Sequence, residues 1–362
     1  MSPLIATAIL SSLASLLLLL PLLPGIFELY GKHDATPLRV IQQHAGEIRH
    51  FAGGFRKCID GLQQSLQECA VRGTTAKGKL REGDEYVLLG RNDDTALESA
   101  GTTKGATCSM IVAAGVDLVL PSGLTFQKEV YAGGEFVGGE ETTYRAILGA
   151  KNVHLQRASK VMRWAHATGS FQADHDCDLY GRVSSDGDML LQSGCIFQRL
   201  NAPRIAIGCV SAAFEHSQKA LSERVVGEQS FEQPRQRVLV EGDWEIQPGE
   251  VLAQNIVTRG KLRIGAGATI LGSVKSNGDL VVEAGVIVVG SLICAAAMHI
   301  GPQCQICGLV IAEHQMFIES GSQCGTEQKN TSISSPFIDV EEGSLFFGTL
   351  WARERGCVVS RQ

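Results

Sequence analysis

Cys304-Gln-Ile-Cys307 has the spacing of a redox pair or of half a zinc knuckle, since two thiolates three residues apart can converge on each other or on one metal. No second pair follows at a matching distance, and a closed zinc site needs four ligands. The run Asp174-His175-Asp176-Cys177-Asp178 collects metal-ligand types, but strand alternation would send its neighbours to opposite faces, so it reads as an acidic surface turn. His154 and His299 are the histidines placed to serve as a general base of the kind used by acyltransferases on hexapeptide-repeat β-helices. Both would point outward, where a solvated histidine accounts for each. Gly265-Ala-Gly267 lacks the third glycine of a dinucleotide fingerprint, and Asn330-Thr331-Ser332 matches a glycosylation acceptor that arises often by accident. No Ser/His/Asp set and no paired carboxylates can be assembled from spacing alone. The expected composition is therefore no catalytic residue, no metal site and no cofactor.

The element that carries most of these residues is a repeat. Between residues 242 and 353 an 18-residue phrase recurs six times. Its third position holds Trp244, Leu262, Leu280, Met298, Met316 and Ile338; its fifth holds Ile246, Ile264, Val282, Ile300, Ile318 and Val340. Glycine occupies the eighth position in five coils, as at Gly249 and Gly267, and the thirteenth at Gly272, Gly290, Gly308 and Gly348. A fixed period of this length, with short β-prone runs between glycines, predicts a β-solenoid. Apolar positions two apart share the inward face of a strand, and each coil must stack on a neighbour to bury that face. The last coil arrives four residues late, which predicts an insertion at 327–335. The period continues upstream through Leu118/Leu120, Phe136/Gly138, Val153/Leu155, Phe171/Ala173 and Met189/Leu191. Cys177 and Cys195, 18 apart, are expected to stack as neighbours. Eighteen residues are also three hexapeptides, and spacing does not fix the hand of the helix. One solenoid over 110–358, interrupted once by the polar stretch 211–237, is the reading adopted; two solenoids joined by that stretch is the alternative.

The ends and the composition add limits. Residues 2–27 contain no ionisable side chain, long enough for the roughly 20 residues that cross a hydrocarbon layer as a helix. The stretch lacks a basic leader and a small-x-small cleavage site, so a transmembrane anchor is preferred to a signal peptide. Lys32, Arg39 and Arg49 follow it and no Lys or Arg precedes it, which puts the bulk of the chain in the cytoplasm. Eleven cysteines without framework spacing suit a reducing compartment. A formal charge of −6 argues against nucleic acid as a partner. Ile41, Ala45, Ile48, Ala52, Phe55, Ile59, Leu62, Leu66 and Cys69 form a helical seam, which packs either on the chain's own solenoid or on another copy. The apolar patch at 86–89 marks a short strand pair inside a connector. The expected organisation is an anchor at 1–32, an amphipathic helical segment at 33–72, a connector at 73–109, the N-terminal part of the solenoid at 110–210, a polar excursion at 211–241 and a C-terminal solenoid at 242–358.

The phrases GDLVVEAGVIVVGSLICA and GKLRIGAGATILGSVKSN, and the closing GSLFFGTLWARERG, resemble the coils of bactofilins, bacterial polymer-forming cytoskeletal proteins. The match is specific over 242–353, weak over 110–208 and does not cover the first hundred residues. The resemblance implies an all-β fold, a right-handed parallel β-helix, here preceded by an N-terminal transmembrane helix and a short helical segment. It also implies nucleotide-independent filaments made by end-to-end stacking, serving at the inner membrane as scaffolds for enzymes of cell-wall growth or cell shape. Typical bactofilins are shorter and have one uninterrupted helix. Because little sequence follows the final coil, Ile338, Val340, Phe346 and Leu350 are the candidate self-assembly residues, and the chain itself is the expected partner.

Overall fold

The computed structural model describes residues 47–81, 83–92, 97–98, 105–208 and 236–360, together with residues 5 and 10. The chain divides into two compact units, 1–47 and 48–362, and every element below belongs to the second. The expected anchor at 1–32, except Ile5 and Leu10, and most of the excursion at 211–241 lie outside the described residues. Among the described residues no helix is long and apolar enough to cross a membrane.

The apolar columns become stacked strands. In the downstream half Leu262 lies beside Leu280, then Met298, Met316 and Ile338, each pair in parallel register. Ile256, Val274, Leu292, Val310 and Ile333 form a second column on another face. Every strand donates to and accepts from the coil beside it, so backbone polarity is satisfied only by stacking. The two glycine columns answer different demands. At the eighth position the chain turns with φ of +73° at Gly249 and +69° at Gly267, and Gln303 takes the same left-handed conformation at +58°. At the thirteenth, a Cβ on Gly290 would stand 2.3 Å from the carbonyl oxygen of Gly272, so adjacent coils approach too closely there for a side chain. The late final coil holds its extra residues in a turn closed by the Thr326/Lys329 bridge, ahead of strand Thr331–Glu341.

Upstream the same architecture runs through Val112, Val130, Ile147, Ala165, Val183 and Leu200. Here Phe136 pairs with Val153 and Tyr144 with Val161, steps of 17 that blur the period. The two halves do not wind in one direction. Strand Ile196–Ile207, the last of the first stack, pairs antiparallel with Leu345–Val359, the last of the second. The second stack begins at Arg237–Val240 and winds back toward the first, so the expectation of one solenoid continuing past an interruption is corrected to two stacks meeting at their C-terminal coils.

Two helices, α1 (His50–Asp60) and α2 (Gln63–Arg72), split the predicted seam at Gly61. Ala52 packs with Ala146, Leu148 and Trp164 on the outer face of the sheet, while Ile59, Leu66 and Cys69 cover Leu88 and Ala113. From Ala52 to Cys69 the seam closes on the chain's own solenoid, while Ile41 and Ala45 lie outside the described residues. A hairpin, Thr75–Lys79 with Glu85–Leu89, lays its inner strand parallel to Ile111–Ala114 and caps the start of the first stack. Its outer edge carries Lys77 and Lys79, charges that discourage further strand addition.

Val282 is 1% exposed in the inward column between Ile264 and Ile300. Val282→Asp would bury an unpaired carboxylate, a cost of roughly several kcal/mol. A thermal melt of the variant should lose its cooperative transition; wild-type stability would invert the in/out assignment.

Candidate functional site

The joint between the stacks follows a rule. Inward residues oppose inward residues, Leu200 against Leu350 and Ile205 against Phe346, while outward Asn201 opposes Thr349 and Arg199 opposes Trp351. Gly343 N–H donates to the Ile207 carbonyl at 2.7 Å and Val358 N–H to that of Cys195 at 2.8 Å. Asn201 Nδ2 adds a bond to Thr349 Oγ1 at 2.9 Å. Ile338, Val340, Phe346 and Leu350 are each fully buried in the single core that runs through both stacks. They point into the solenoid; the strand edge of Phe346 and Leu350 is taken up by the chain's own Ile196–Ile207, and that of Ile338 and Val340 by the last residues of Leu345–Val359. The open end on which their selection rested is thus closed from within.

The bare coil is the first of the second stack. Arg237–Val240, Trp244–Ile246 and Val251–Leu252 each pair with one strand, the next coil's, and among the described residues nothing pairs with their other edge. Their side chains record the difference: Val238 and Trp244 are half-buried where their column-mates Ile256 and Leu262 are buried, and Leu239 and Val251 are 49% and 66% exposed.

The residues with chemical potential are scattered. His154 meets Asp174 at 3.0 Å, and His299 meets Glu319 at 2.7 Å beside the ring of Phe317. Both histidines lie on outer faces, His299 in a shallow open groove with Val281, Met298 and Met316. The acidic run forms the turn between strands Phe171–Ala173 and Asp178–Ser185, and turn geometry in place of strand alternation disperses it: Asp176 and Asp178 pair with Arg157 and Lys160, His175 reaches Ser193, and Cys177 turns inward. Cys177 and Cys195 stack as expected, and the contact with Cys177, helped by burial, raises the Cys195 thiol far above its usual range. Cys304 donates to the Glu283 carbonyl, and burial pushes its pKa up to about 11; burial also raises Cys307 and Cys324. These are protonated core thiols. Among the described residues no three His, Cys, Asp or Glu side chains are grouped to hold a metal.

One cluster was missed by sequence reasoning. His166, 5% exposed beneath α1, has Nδ1 2.9 Å from Ser184 Oγ and Nε2 3.9 Å from Asp186, whose carboxylate pairs with Arg49 at 2.7 Å. Arg56, two turns along α1 from Arg49, donates to Thr168 at 2.7 Å. Ser184 is 1% exposed, so its hydroxyl is shut away from any substrate; the set fastens α1 to the sheet. The 18-residue offset of His166 and Ser184 was the available signal.

No family model, no curated protein and no solved structure matches this chain.

Burial lowers the pKa of His166, opposed by Asp186 and reinforced by Arg49 and Arg56. The neutral ring belongs to the folded state, so its contribution is complete above the ordinary histidine pKa of about 6.5 and is lost as pH falls through and below it. Melting temperature should drop between pH 7.5 and 5.5 (both around that value) more in the wild type than in His166→Gln. Equal drops would remove His166 from the pH response.

Proposed function

We propose that this protein is a bactofilin-like structural scaffold, anchored by residues 1–32 in the inner membrane with its solenoid in the cytoplasm, which associates end to end with another copy and organises enzymes of cell-wall growth or cell shape. A right-handed helix is part of the same reading. Support comes from one observation: the chain already contains an end-to-end solenoid joint, and it has one further coil with the apolar columns to make another.

The sequence of that coil suits a symmetric contact. Laid antiparallel on itself about Leu239, the strand places Arg237 opposite Glu241, Val238 opposite Val240, and Leu239 opposite its own copy. Val238 and Val240 face inward beside Ile256 and Thr258, so the two cores would be continuous, and the outer row would carry two Arg–Glu pairs around a leucine pair. This reproduces the inward-to-inward rule of the internal joint. A two-fold contact of this kind closes, so the assembly it favours is a dimer and not an unlimited filament. The transferase alternative would require a histidine in a cleft between subunits, usually in a trimer.

Light scattering on the full chain in detergent tests this. The expected protein mass is twice 38.7 kDa, and Leu239→Asp, which sets carboxylates opposite each other, should return the monomer without lowering the melting temperature. A monomeric wild type contradicts the scaffold reading, and a trimer favours the transferase.

A further inference from the structure

On one outer face of the second stack, register sets Glu245, Arg263, Val281, His299, Phe317 and Asp339 in a row across six strands. A second row runs beside it, in which Ala297 stands between Asp279 and Gln315. The single methyl of Ala297 is too short to fill its place among those longer side chains. An open hollow of about 490 Å³ results, with Val281, Ala297 and Phe317 half-buried along its floor.

Charge sits at the two ends of this hollow. Among the described residues its lining carries two carboxylates, Asp279 and Asp339, one imidazole and no Lys or Arg. Three coil steps separate the two acids, about 14 Å along the stack. Asp339 is exposed and forms no ion pair among the described residues. Asp279 holds Lys261 at 3.0 Å with one oxygen and accepts from the Ala297 N–H at 3.4 Å with the other, which leaves lone pairs on both oxygens free. Between the acids, His299 is engaged by Glu319 at 2.7 Å, and its ring lies 5.4 Å from that of Phe317. The strand beyond brings Arg355 opposite Phe337, outside the lining.

This pattern discriminates among ligand classes. A peptide laid on the face would find no backbone partner, because the N–H and C=O groups of these strands are occupied by the neighbouring coils. A sugar needs polar partners along its whole length, and the middle of this floor is apolar. An anion would meet a carboxylate at either end. What fits is an extended aliphatic chain with an ammonium group at each end, its methylenes against Val281 and Ala297 and any inner ammonium over the Phe317 ring. We propose that the hollow binds a linear polyamine, with Asp279 and Asp339 taking the terminal ammonium groups. The site depends neither on an anchor nor on association at Leu239, so a monomeric chain binds equally well.

Calorimetric titration of spermidine into the full chain, in a neutral detergent at low salt, tests this. One polyamine per chain should bind. Asp339→Asn removes one exposed charge pair and should weaken binding about fivefold, and Asp279→Asn/Asp339→Asn should weaken it further. Ala297→Gln copies the neighbouring Gln315, fills the hollow without changing charge, and should also weaken binding. Putrescine, a shorter diamine, should bind less well than spermidine. All these positions face outward, so the variants should melt as the wild type does, and Glu140→Gln, an exposed acid of the first stack, should bind spermidine normally. Binding that survives in the double aspartate variant, or that magnesium at equal ionic strength abolishes, is a diffuse counterion effect and overturns the proposal. Binding that Ala297→Gln leaves untouched places the polyamine elsewhere and overturns it too.

Discussion

A strand in a solenoid can satisfy its backbone donors and acceptors only through the next coil, so every stack is left with two unsatisfied ends. The rest of this structure follows from how those ends are closed. The first stack starts under a hairpin whose free edge is guarded by lysines, and it finishes against the last coil of the second stack. Closing that end internally forces the second stack to run backward. Among the described residues, all three strands of the second stack's first coil are left with an unpaired edge.

The inner columns and the outer faces divide the labour. Inside, 18-residue spacing stacks like on like: Leu on Leu, Ile on Val, glycine backbone on glycine backbone. Polar inward positions such as Ser276 are tolerated because the hydroxyl reaches the carbonyls of Gly260 and Gly278 at 3.0 Å. Outside, neighbouring coils exchange salt bridges such as Lys261–Asp279 and Arg263–Glu283, exposed pairs worth little individually. The regular face is broken in three places: at the register shifts, at the α1 contact over His166, and at the first coil of the second stack.

Much of this was legible in the sequence. The columns from Leu262 to Ile338 were readable because the step between coils is constant and the side chains in register are all apolar. Upstream, steps of 17 at Phe136/Val153 and Tyr144/Val161 blur the same signal, although Phe171/Met189 keeps it. The seam from Ile48 to Cys69 was visible, and its split at Gly61 was not, since a heptad-like pattern survives a one-turn break. The reversal of the second stack left no trace because a period is blind to direction. Ile338, Val340, Phe346 and Leu350 were correctly read as a full apolar column, but whether the edge of that coil is free depends on a strand nearly 150 residues away. His166 with Ser184 and Asp186 escaped for a related reason: contacts across coils gather residues that no linear motif holds together.

The account turns on the first coil of the second stack meeting its own copy. Replacing Leu239 by Cys tests this directly, because a two-fold antiparallel register about that residue puts the two Cα atoms about 4.5–5.5 Å apart, within reach of a disulfide. Among the described residues the native thiols Cys58 and Cys357 are partly buried and the remainder buried, so the unsubstituted chain serves as the control. Under mild oxidation the variant should run as a covalent dimer on a denaturing gel while the control stays single. A variant that stays single in solutions where the wild type is dimeric would contradict the proposed register.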